Sequence, residues 1–261
     1  MKLITHGCRG SIPISSGKMM KYGGNTTCFE LVTDEFQIFF DTGSGFQNAI
    51  LNPNKDILVL FSHFHHDHLQ GLAFNKYLLK PETKTFISSA LVNSKELNKI
   101  IRRYFSGVFF PLDLFDNLDN VTFSNFSEAQ RTMKGGLNIE AIKLNHPGGS
   151  YGYSVTTNGK KCVFLCDNEF TTSQADALKN FSRDADIVIW DGMFTEEELK
   201  SKAGWGHSSL EQGVEFFSDI NCGQIIISHH APYRTDGELD LIGNSLPNGI
   251  QLAKDGQVLK L

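Results

Sequence analysis

The chain has 261 residues, a net charge of −5 at pH 7, and 40% hydrophobic and 20% charged residues. This composition is that of a globular protein with a large core, and the negative charge argues against the broad basic surface that a stable nucleic-acid partner needs. The chain has no apolar run of membrane-spanning length, no signal-peptide stretch and only five scattered cysteines, so we expect a cytoplasmic protein without a membrane partner.

Ten short segments rich in β-branched and aromatic residues predict strands, and five amphipathic segments predict helices. The predicted strands cover residues 28–33, 36–41, 57–62, 83–88, 121–126, 139–144, 152–157, 161–167, 186–191 and 224–229. The predicted helices cover residues 69–79, 92–105, 173–182, 195–202 and 209–220. Early strands follow one another directly, and later strands alternate with helices. This order predicts one α/β or α+β domain over residues 1–261, built from stacked sheets with helices outside.

Several predicted strands end in a residue type that binds metals. In chain order these residues are His63, His65, His146, Asp167, Asp191 and His229. A single histidine at a strand end is more often a structural residue held by hydrogen bonds. Because the carboxyl ends of strands are where α/β sheets bind ligands, six such residues together indicate a metal site.

The segment HFHHDH has the spacing of a metal-binding loop. Residues two apart in an extended segment point the same way, so His63 and His65 can bind one ion. Asp67 and His68 come next, where we expect the chain to turn into a helix, and they can face a second ion. Imidazole and carboxylate ligands suit zinc, with iron or manganese as alternatives. His66 lies between these positions, and we interpret it as a pocket-wall or exposed residue.

The HFHHDH segment resembles the His-x-His-x-Asp-His motif of the metallo-β-lactamase superfamily. Further segments resemble the phosphodiesterase-like branch of that superfamily, in the same chain order: GCRGSIP, YGGNTTC, FFDTGSG, NHPGGSYGY, FLCDNE, WGHSS and ISHHAP. That branch includes tRNA 3′-processing nucleases, phosphoribosyl cyclic phosphodiesterases and cyclic-nucleotide phosphodiesterases. The resemblance implies an α+β fold, a four-layer αββα sandwich of two packed mixed sheets with outer helices.

The resemblance also implies two divalent metal ions per chain, with zinc as the expected ion and manganese or iron as alternatives. The implied ligands of the first ion are His63, His65 and His146. Those of the second ion are Asp67, His68 and His229. Asp167 would lie between the two ions, because two neighbouring cations repel each other and need a shared anionic ligand.

Three residues are expected to take part in catalysis. His207 in WGHSS matches the histidine of the branch that contacts the scissile phosphate and protonates the leaving group. Asp191 matches an acidic position, and we expect it to pair with His207. Asp67 would bind metal through one oxygen and orient the nucleophile with the other. Two close cations supply hydroxide from a bound water and stabilise charge on phosphate, so the expected reaction is hydrolysis of a phosphodiester.

The expected substrate is a small phosphodiester, such as a cyclic nucleotide or a sugar cyclic phosphate. The sequence lacks the long, basic, glycine-rich arm expected of a tRNA-processing enzyme, and its net charge is negative. The alternatives are a tRNA 3′-end nuclease, an acyl hydrolase of the lactonase or thioesterase type, and a binding protein without activity. His207 counts against an acyl hydrolase, and the complete ligand set counts against a binding protein. A homodimer is expected from the resemblance alone.

Three further features of the sequence bear on the site. Asp41 is expected either to accept a hydrogen bond from a metal-binding histidine or to cap the turn TGSG. Residues 102–110 contain two arginines and four aromatic residues, which form either a flap that stacks on a base or ordinary core packing with solvated arginines. The HHAP segment has Ala231 where relatives often have aspartate, so we expect this chain to lack any contact that the aspartate carboxylate makes in those relatives.

Overall fold

The computed structural model describes residues 1–132, 136–218 and 220–261. In chain order its strands are β1 Lys2–Gly7, β2 Cys28–Val32, β3 Phe36–Phe40, β4 Asp56–Phe61, β5 Thr85–Ser89, β6 Val121–Phe123, β7 Asn138–Leu144, β8 Ser150–Thr157, β9 Lys160–Leu165, β10 Ile187–Asp191, β11 Gln224–Ser228, β12 Ile250–Leu252 and β13 Val258–Lys260. Its helices are α1 His66–Leu69, α2 Ser94–Tyr104, α3 Phe126–Thr132, α4 Ala175–Ser182, α5 Glu196–Leu199, α6 Leu210–Ser218 and α7 Asp236–Ser245. Within these described ranges, no helix has both the length and the apolar character needed to cross a bilayer.

The strands form two mixed sheets. The first sheet has the order β13-β1-β2-β3-β4-β5-β6, antiparallel from β13 to β3 and parallel from β3 to β6. The second has the order β12-β11-β10-β9-β8-β7, parallel from β12 to β9 and antiparallel from β9 to β7. Each sheet therefore has a parallel part, in which the carboxyl ends of neighbouring strands lie at the same edge.

The inner faces of the two sheets pack against each other. Phe40 of β3 stacks on Phe164 of β9 with ring centroids 5.1 Å apart, and Phe29 of β2 contacts the same Phe164 ring. These rings are fully buried in a cluster to which most strands of both sheets contribute. Removal of this much apolar surface from water is the main force that holds the sheets together.

Helices cover the outer face of each sheet. Leu97 and Ile101 of α2 are buried in one cluster with residues of the first sheet. On the second sheet, Phe216 of α6 stacks on Trp190 of β10 with ring centroids 5.4 Å apart. The layers are helix, sheet, sheet, helix, so the predicted four-layer α+β sandwich is confirmed. Central strands are buried on both faces, which explains their continuous apolar runs in the sequence.

The predicted helix at residues 69–79 is wrong. α1 ends at Leu69, and one short 3₁₀ turn follows before Asn75. The side-chain amide of Asn75 donates hydrogen bonds to the carbonyls of Phe46 and Ala49. These bonds tie the segment to the loop after β3, and an extended helix could not make them.

The predicted strand at residues 121–126 is too long. β6 ends at Phe123, and α3 begins at Phe126. The backbone N–H of Asn125 donates to the Glu128 carboxylate, a contact typical of the start of a helix. The predicted helix at 209–220 corresponds to α6, and its residue Asp219 lies outside the described residues.

Five elements have no counterpart among the predictions: β1, β12, β13, α3 and α7. The two last strands have three residues each, too few for a recognisable alternation. α7 contains two glycines, and a capping box between Thr235 and Glu238 fixes its start.

Candidate active site

The predicted ligands lie together at one edge of the sandwich. Those that follow β4 and continue into α1 are His63, His65, Asp67 and His68. Those that follow β7, β9 and β11 are His146, Asp167 and His229. All of them are buried except His65. The carboxyl ends of β4, β9 and β11 in the parallel parts of the sheets, together with that of β7, thus form this edge, as the sequence predicts.

Three residues at this edge have backbone in the left-handed region. Asp41, Asp167 and His229 follow β3, β9 and β11 with φ angles of 60°, 60° and 59°. Such a conformation costs a non-glycine residue on the order of 1–3 kcal/mol, and aspartate tolerates it better than most residues. The sharp turn directly after each strand keeps these side chains at the site.

The first ligand set consists of His63, His65 and His146. Possible ligand nitrogens of the three lie within 4.8 Å of one another, with His65 Nδ1 3.0 Å from His146 Nε2. His146 Nδ1 donates to the Gly206 carbonyl at 2.7 Å, and His63 Nδ1 donates to the Ser62 hydroxyl at 2.9 Å. Because these outer partners hold Nδ1, the Nε2 atoms of His63 and His146 face inward, as in metal-binding imidazoles.

The second ligand set consists of Asp67, His68 and His229, whose possible ligand atoms also lie within 4.8 Å of one another. His68 Nδ1 donates to Asp41 Oδ2 at 2.8 Å, and His229 Nδ1 donates to Thr27 Oγ1 at 2.9 Å. Both Nε2 atoms again face inward. The contact expected between Asp41 and a ligand-type histidine is present in the structure.

Asp167 lies between the two sets. Its Oδ2 is 3.0 Å from His68 Nε2, and its Oδ1 is 3.3 Å from His229 Nε2. The same Oδ1 is 3.8 Å from His146 Nε2 of the first set. A carboxylate in this position can be shared by two cations.

The hydrogen bonding of three inward-facing atoms indicates whether these residues are suited to bind a metal ion. His63 Nε2, His68 Nε2 and Asp167 Oδ2 are buried and have no hydrogen-bond partner among the described residues. The last two atoms lie 3.0 Å apart, close enough to form an ion pair, so His63 Nε2 is the clearest unsatisfied atom. Each unsatisfied buried polar atom costs about 1–3 kcal/mol, and few persist in folded proteins. Bound divalent ions would satisfy these atoms, so the donor set fits a metal centre.

The protonation states also fit a metal centre. Burial lowers the pKa of His63 well below its usual value, and it lowers the pKa of His65 and of His146 too. Burial raises the pKa of Asp67 and Asp167, but the neighbouring imidazoles outweigh it, and both pKa values fall below the usual range. Neutral imidazoles and ionised carboxylates are the forms that bind cations.

His68 shows how strongly this site attracts positive charge. Burial lowers its pKa, but the carboxylates of Asp167, Asp67 and Asp41 outweigh burial and raise that pKa well above the usual value. A proton on His68 is therefore stabilised by three carboxylates. A divalent cation at the inner nitrogen would take the place of that proton.

His207 lies beside both ligand sets and is held by Asp191, the buried last residue of β10. His207 Nδ1 donates to Asp191 Oδ2 at 2.8 Å, although Asp167 Oδ1 is also only 3.7 Å away. The His207 ring centroid is 4.9 Å from that of His229 and 5.2 Å from that of His146. Burial lowers the pKa of His207, but the Asp191 carboxylate outweighs it and raises the pKa to about 9. The predicted pair is present, and a ligand-type atom of His207 also lies within 4.8 Å of such atoms of His146 and Asp167.

The other histidines do not join the ligand sets. His66 is exposed, as expected, and its Nδ1 forms a hydrogen bond with the Tyr104 hydroxyl. His230 is buried, and its Nε2 donates to a backbone carbonyl at 2.8 Å. His6 pairs with Glu30 at 2.7 Å on the outer face of the first sheet.

Sequence reasoning missed the outer partners of the histidines, Thr27, Ser62 and Gly206. Thr27 is separated from His229 by 202 positions, and Gly206 from His146 by 60. No local signal could reveal such contacts. Ser62 stands directly before the first histidine, so it alone could have been considered from the sequence.

A family model described as the beta-lactamase superfamily domain matches residues 37–230. This chain belongs to the β-lactamase superfamily. The identification made from HFHHDH is thereby confirmed, and so is the prediction of a metal-dependent hydrolase. Superfamily membership implies binding of divalent metal, in agreement with the histidine and aspartate clusters.

Comparison with individual proteins supports the same branch of the superfamily. Ribonuclease Z of Bacillus subtilis is 25% identical over 251 residues, which cover 77% of this chain and 80% of that protein. The metallo-beta-lactamase fold protein YhfI from Bacillus subtilis has a TM-score of 0.73 at 18% identity, with 99% of each chain covered. A diphosphatase from the PhnP family has a TM-score of 0.72 at 18% identity, with 99% of this chain and 96% of that chain covered. This superfamily protein therefore shares its fold with both of these solved structures.

Proposed function

We propose that the protein is a dinuclear metal-dependent phosphodiesterase that hydrolyses a small phosphodiester, a cyclic nucleotide or a sugar cyclic phosphate. The observation that carries the proposal is the 2.8 Å hydrogen bond between His207 and Asp191 beside the two ligand sets. A phosphodiester needs a proton for its departing alkoxide, and this pair supplies a positioned acid.

In this proposal the seven ligand-type residues hold two ions, and zinc is the proposed metal because nitrogen and carboxylate donors suit it. The proposed ligands of the first ion are His63, His65 and His146. Those of the second ion are Asp67, His68 and His229. Asp167 is proposed to bridge the two ions. When bound, such ions lower the pKa of water and neutralise phosphate oxygens.

The chain itself positions the reacting groups. Asp67 Oδ2 accepts a hydrogen bond from the Ser11 backbone N–H at 2.8 Å and lies 3.3 Å from His68 Nε2. These contacts fix the carboxylate that is proposed to orient the nucleophile. His207 is proposed to donate the proton on Nε2 to the departing alkoxide, while Asp191 keeps the other proton on Nδ1 and stabilises the charged ring.

The small substrate is proposed from charge and from the lack of a long basic insertion between the elements predicted from the sequence. The net charge is −5, whereas recognition of folded RNA relies on basic surface to neutralise phosphates. The sequence has no long basic insertion between its predicted elements. A stable nucleic-acid partner is therefore not part of the proposal.

A second candidate is an RNA endonuclease. The 25% identity with Ribonuclease Z, spread over most of both chains, favours it. This activity would use the same ligand sets and the same His207, and it would differ in the size of substrate accepted.

A hydrolysis panel tests the proposal. Metal-replete protein is incubated with cyclic nucleotides, cyclic dinucleotides, ribose cyclic phosphate, linear RNA, a tRNA precursor and a chromogenic carboxylic ester. We expect the highest kcat/KM for a cyclic mononucleotide or ribose cyclic phosphate, and little turnover of the ester. Preferred cleavage of the tRNA precursor would favour the second candidate, and preferred cleavage of the ester would refute both.

A further inference from the structure

A cavity of about 780 Å³ lies beside the candidate active site. Its aromatic lining consists of Phe64, Phe74, Tyr104, Phe105, Phe109 and Phe110. His66 also lines it and stands in the chain between the ligand-type residues His65 and Asp67. The cavity lining thus includes His66, a direct chain neighbour of two ligand-type residues.

The exposed rings of this cavity have faces available to a ligand. Phe105 is buried, and Phe110 packs against it edge to face with ring centroids 5.5 Å apart. Phe109 and Phe74, in contrast, are 68% and 64% exposed. Flat aromatic ligands gain most from such rings, because stacking adds to the burial of apolar surface.

The two arginines that precede these aromatic residues in the chain differ in their contacts. Arg102 is held by the Asp116 carboxylate at 2.5 Å and by the Phe115 carbonyl at 3.0 Å. Arg103 lines the cavity, is exposed, and forms no ion pair with any residue that the structure describes. Its charge favours an anionic ligand. Of the two alternatives for residues 102–110, core packing holds for Phe105, and the exposed Arg103 matches the solvated arginine of that same alternative. Phe109 does not fill the core and is accessible, as a flap requires.

We propose that this cavity binds the base of a nucleoside-containing phosphodiester while the phosphate lies at the ligand sets. The inference rests on the proposed function and narrows it to cyclic nucleotides, because a sugar cyclic phosphate would leave the aromatic rings uncovered. The volume is in the range of small-molecule sites. Gln47 and Gln70 also line the cavity, and their side-chain amides can form hydrogen bonds with the edge of a base. One of these amides, that of Gln70, also donates to Thr26 Oγ1 at 2.9 Å.

A binding experiment with metal-replete protein tests this subsite independently of turnover. AMP and ribose 5-phosphate share the sugar and the phosphate, but only AMP has a base. We expect AMP to bind more tightly in isothermal titration calorimetry. Phe109→Ala should weaken AMP binding by about 5- to 100-fold, the usual loss on removal of a stacking ring, and leave ribose 5-phosphate binding unchanged.

The matched control is Val108→Ala. Val108 is the preceding residue, is 95% exposed and does not line the cavity, so its removal should not change AMP binding. Equal binding of AMP and ribose 5-phosphate, or equal effects of the two variants, would overturn the proposal. So would hexyl phosphate binding as tightly as AMP, because a purely apolar cavity has no preference for a ring.

The hydrolysis panel separates failure of this subsite from failure of the proposed function. If AMP binds through Phe109 but no phosphodiester is cleaved, the proposed function is wrong and the subsite stands. If cyclic nucleotide and ribose cyclic phosphate are cleaved with equal kcat/KM and Phe109→Ala changes neither, the subsite is wrong and the function stands.

Discussion

His207 could serve this site either as a ligand or as an acid, and one substitution distinguishes the two roles. Asp191 occupies His207 Nδ1, so we expect His207→Ala to leave metal content unchanged. Turnover of a phosphodiester with a poor alkoxide leaving group should fall by about 10²- to 10⁴-fold, the usual scale of general acid catalysis. The loss should be smaller for p-nitrophenolate, which departs without a proton. Steady-state kinetics with both substrates and elemental analysis give the result.

Two outcomes would contradict this role. Loss of metal from His207→Ala would mean that the ring is a ligand and that the second ligand set is incorrectly assigned. Equal losses for the two leaving groups would mean that His207 positions the phosphate and does not protonate the alkoxide.

Asp167 and Asp41 offer a matched test of the shared carboxylate. Both are buried, and both have a φ angle of 60°, so replacement by asparagine strains neither backbone. Asp41 contacts His68 from outside, and Asp41→Asn should weaken metal binding by about 10- to 100-fold. Asp167→Asn removes the charge between both ligand sets and should cost more, with loss of both ions. Metal competition titrations on the two variants measure this difference.

The bridging assignment is wrong if Asp167→Asn keeps two ions with an affinity equal to that of Asp41→Asn. Circular dichroism of both variants shows whether the fold is kept, which separates a local loss of ligand from unfolding.

At the scale of residues, the sequence predicts the ligand-type side chains of the site better than it predicts the residues that hydrogen-bond to them. His63, Asp167 and His229 each follow an apolar run directly, so a local pattern places them at one edge. Thr27 and Gly206 belong to distant segments, and only the packed sheets bring them to the histidines.

At the scale of elements, α6 depends on the absence of a side chain at Gly213. A Cβ there would lie 2.6 Å from Trp190 Cδ1, and the buried Trp190 ring is fixed by its hydrogen bond to the Ser209 carbonyl at 3.2 Å. We expect Gly213→Ala to destabilise the protein by about 1–3 kcal/mol in urea unfolding, because overpacking outweighs the better helix propensity.

Gly237 in α7 provides the control, because a Cβ there meets no atom within 4 Å. Gly237→Ala should leave the free energy of unfolding unchanged or raise it by up to about 1 kcal/mol. Equal effects of the two alanines would show that α6 does not pack on β10 as closely as described.

Prediction of secondary structure from the sequence succeeds for strands that are buried on both faces. It fails where contacts between distant segments determine the local conformation. Strands covered on both faces appear in the sequence as continuous apolar runs, and nine of the ten predicted strands closely match observed ones. The helix predicted at 69–79 fails because Asn75 bonds to carbonyls after β3, and a pattern of apolar residues does not contain that information. The sequence pattern does not predict α7, because its two glycines have low helix propensity. In the structure a capping box stabilises the start of this helix.

At the scale of the whole molecule, we infer that residues 1–261 fold as one domain. β1 pairs with β13, so both ends of the chain belong to the first sheet. The core between the sheets draws on β1 to β4 and on β7 to β11. Neither sheet would keep its inner face covered without the other.

The proposed metal centre would tie these two sheets together, and this leads to a prediction for stability. The proposed ligands after β4 and on α1 are connected to the first sheet, and those after β7, β9 and β11 are connected to the second. Ions that bind only the folded protein should raise its unfolding free energy by about 2.7 kcal/mol per site at a hundredfold excess over Kd. We therefore expect EDTA to lower Tm in calorimetry while a single transition remains, and Asp167→Asn to show little response to EDTA. Two separate transitions would contradict the one-domain inference, and a Tm indifferent to EDTA in the unsubstituted protein would contradict a metal shared by both sheets.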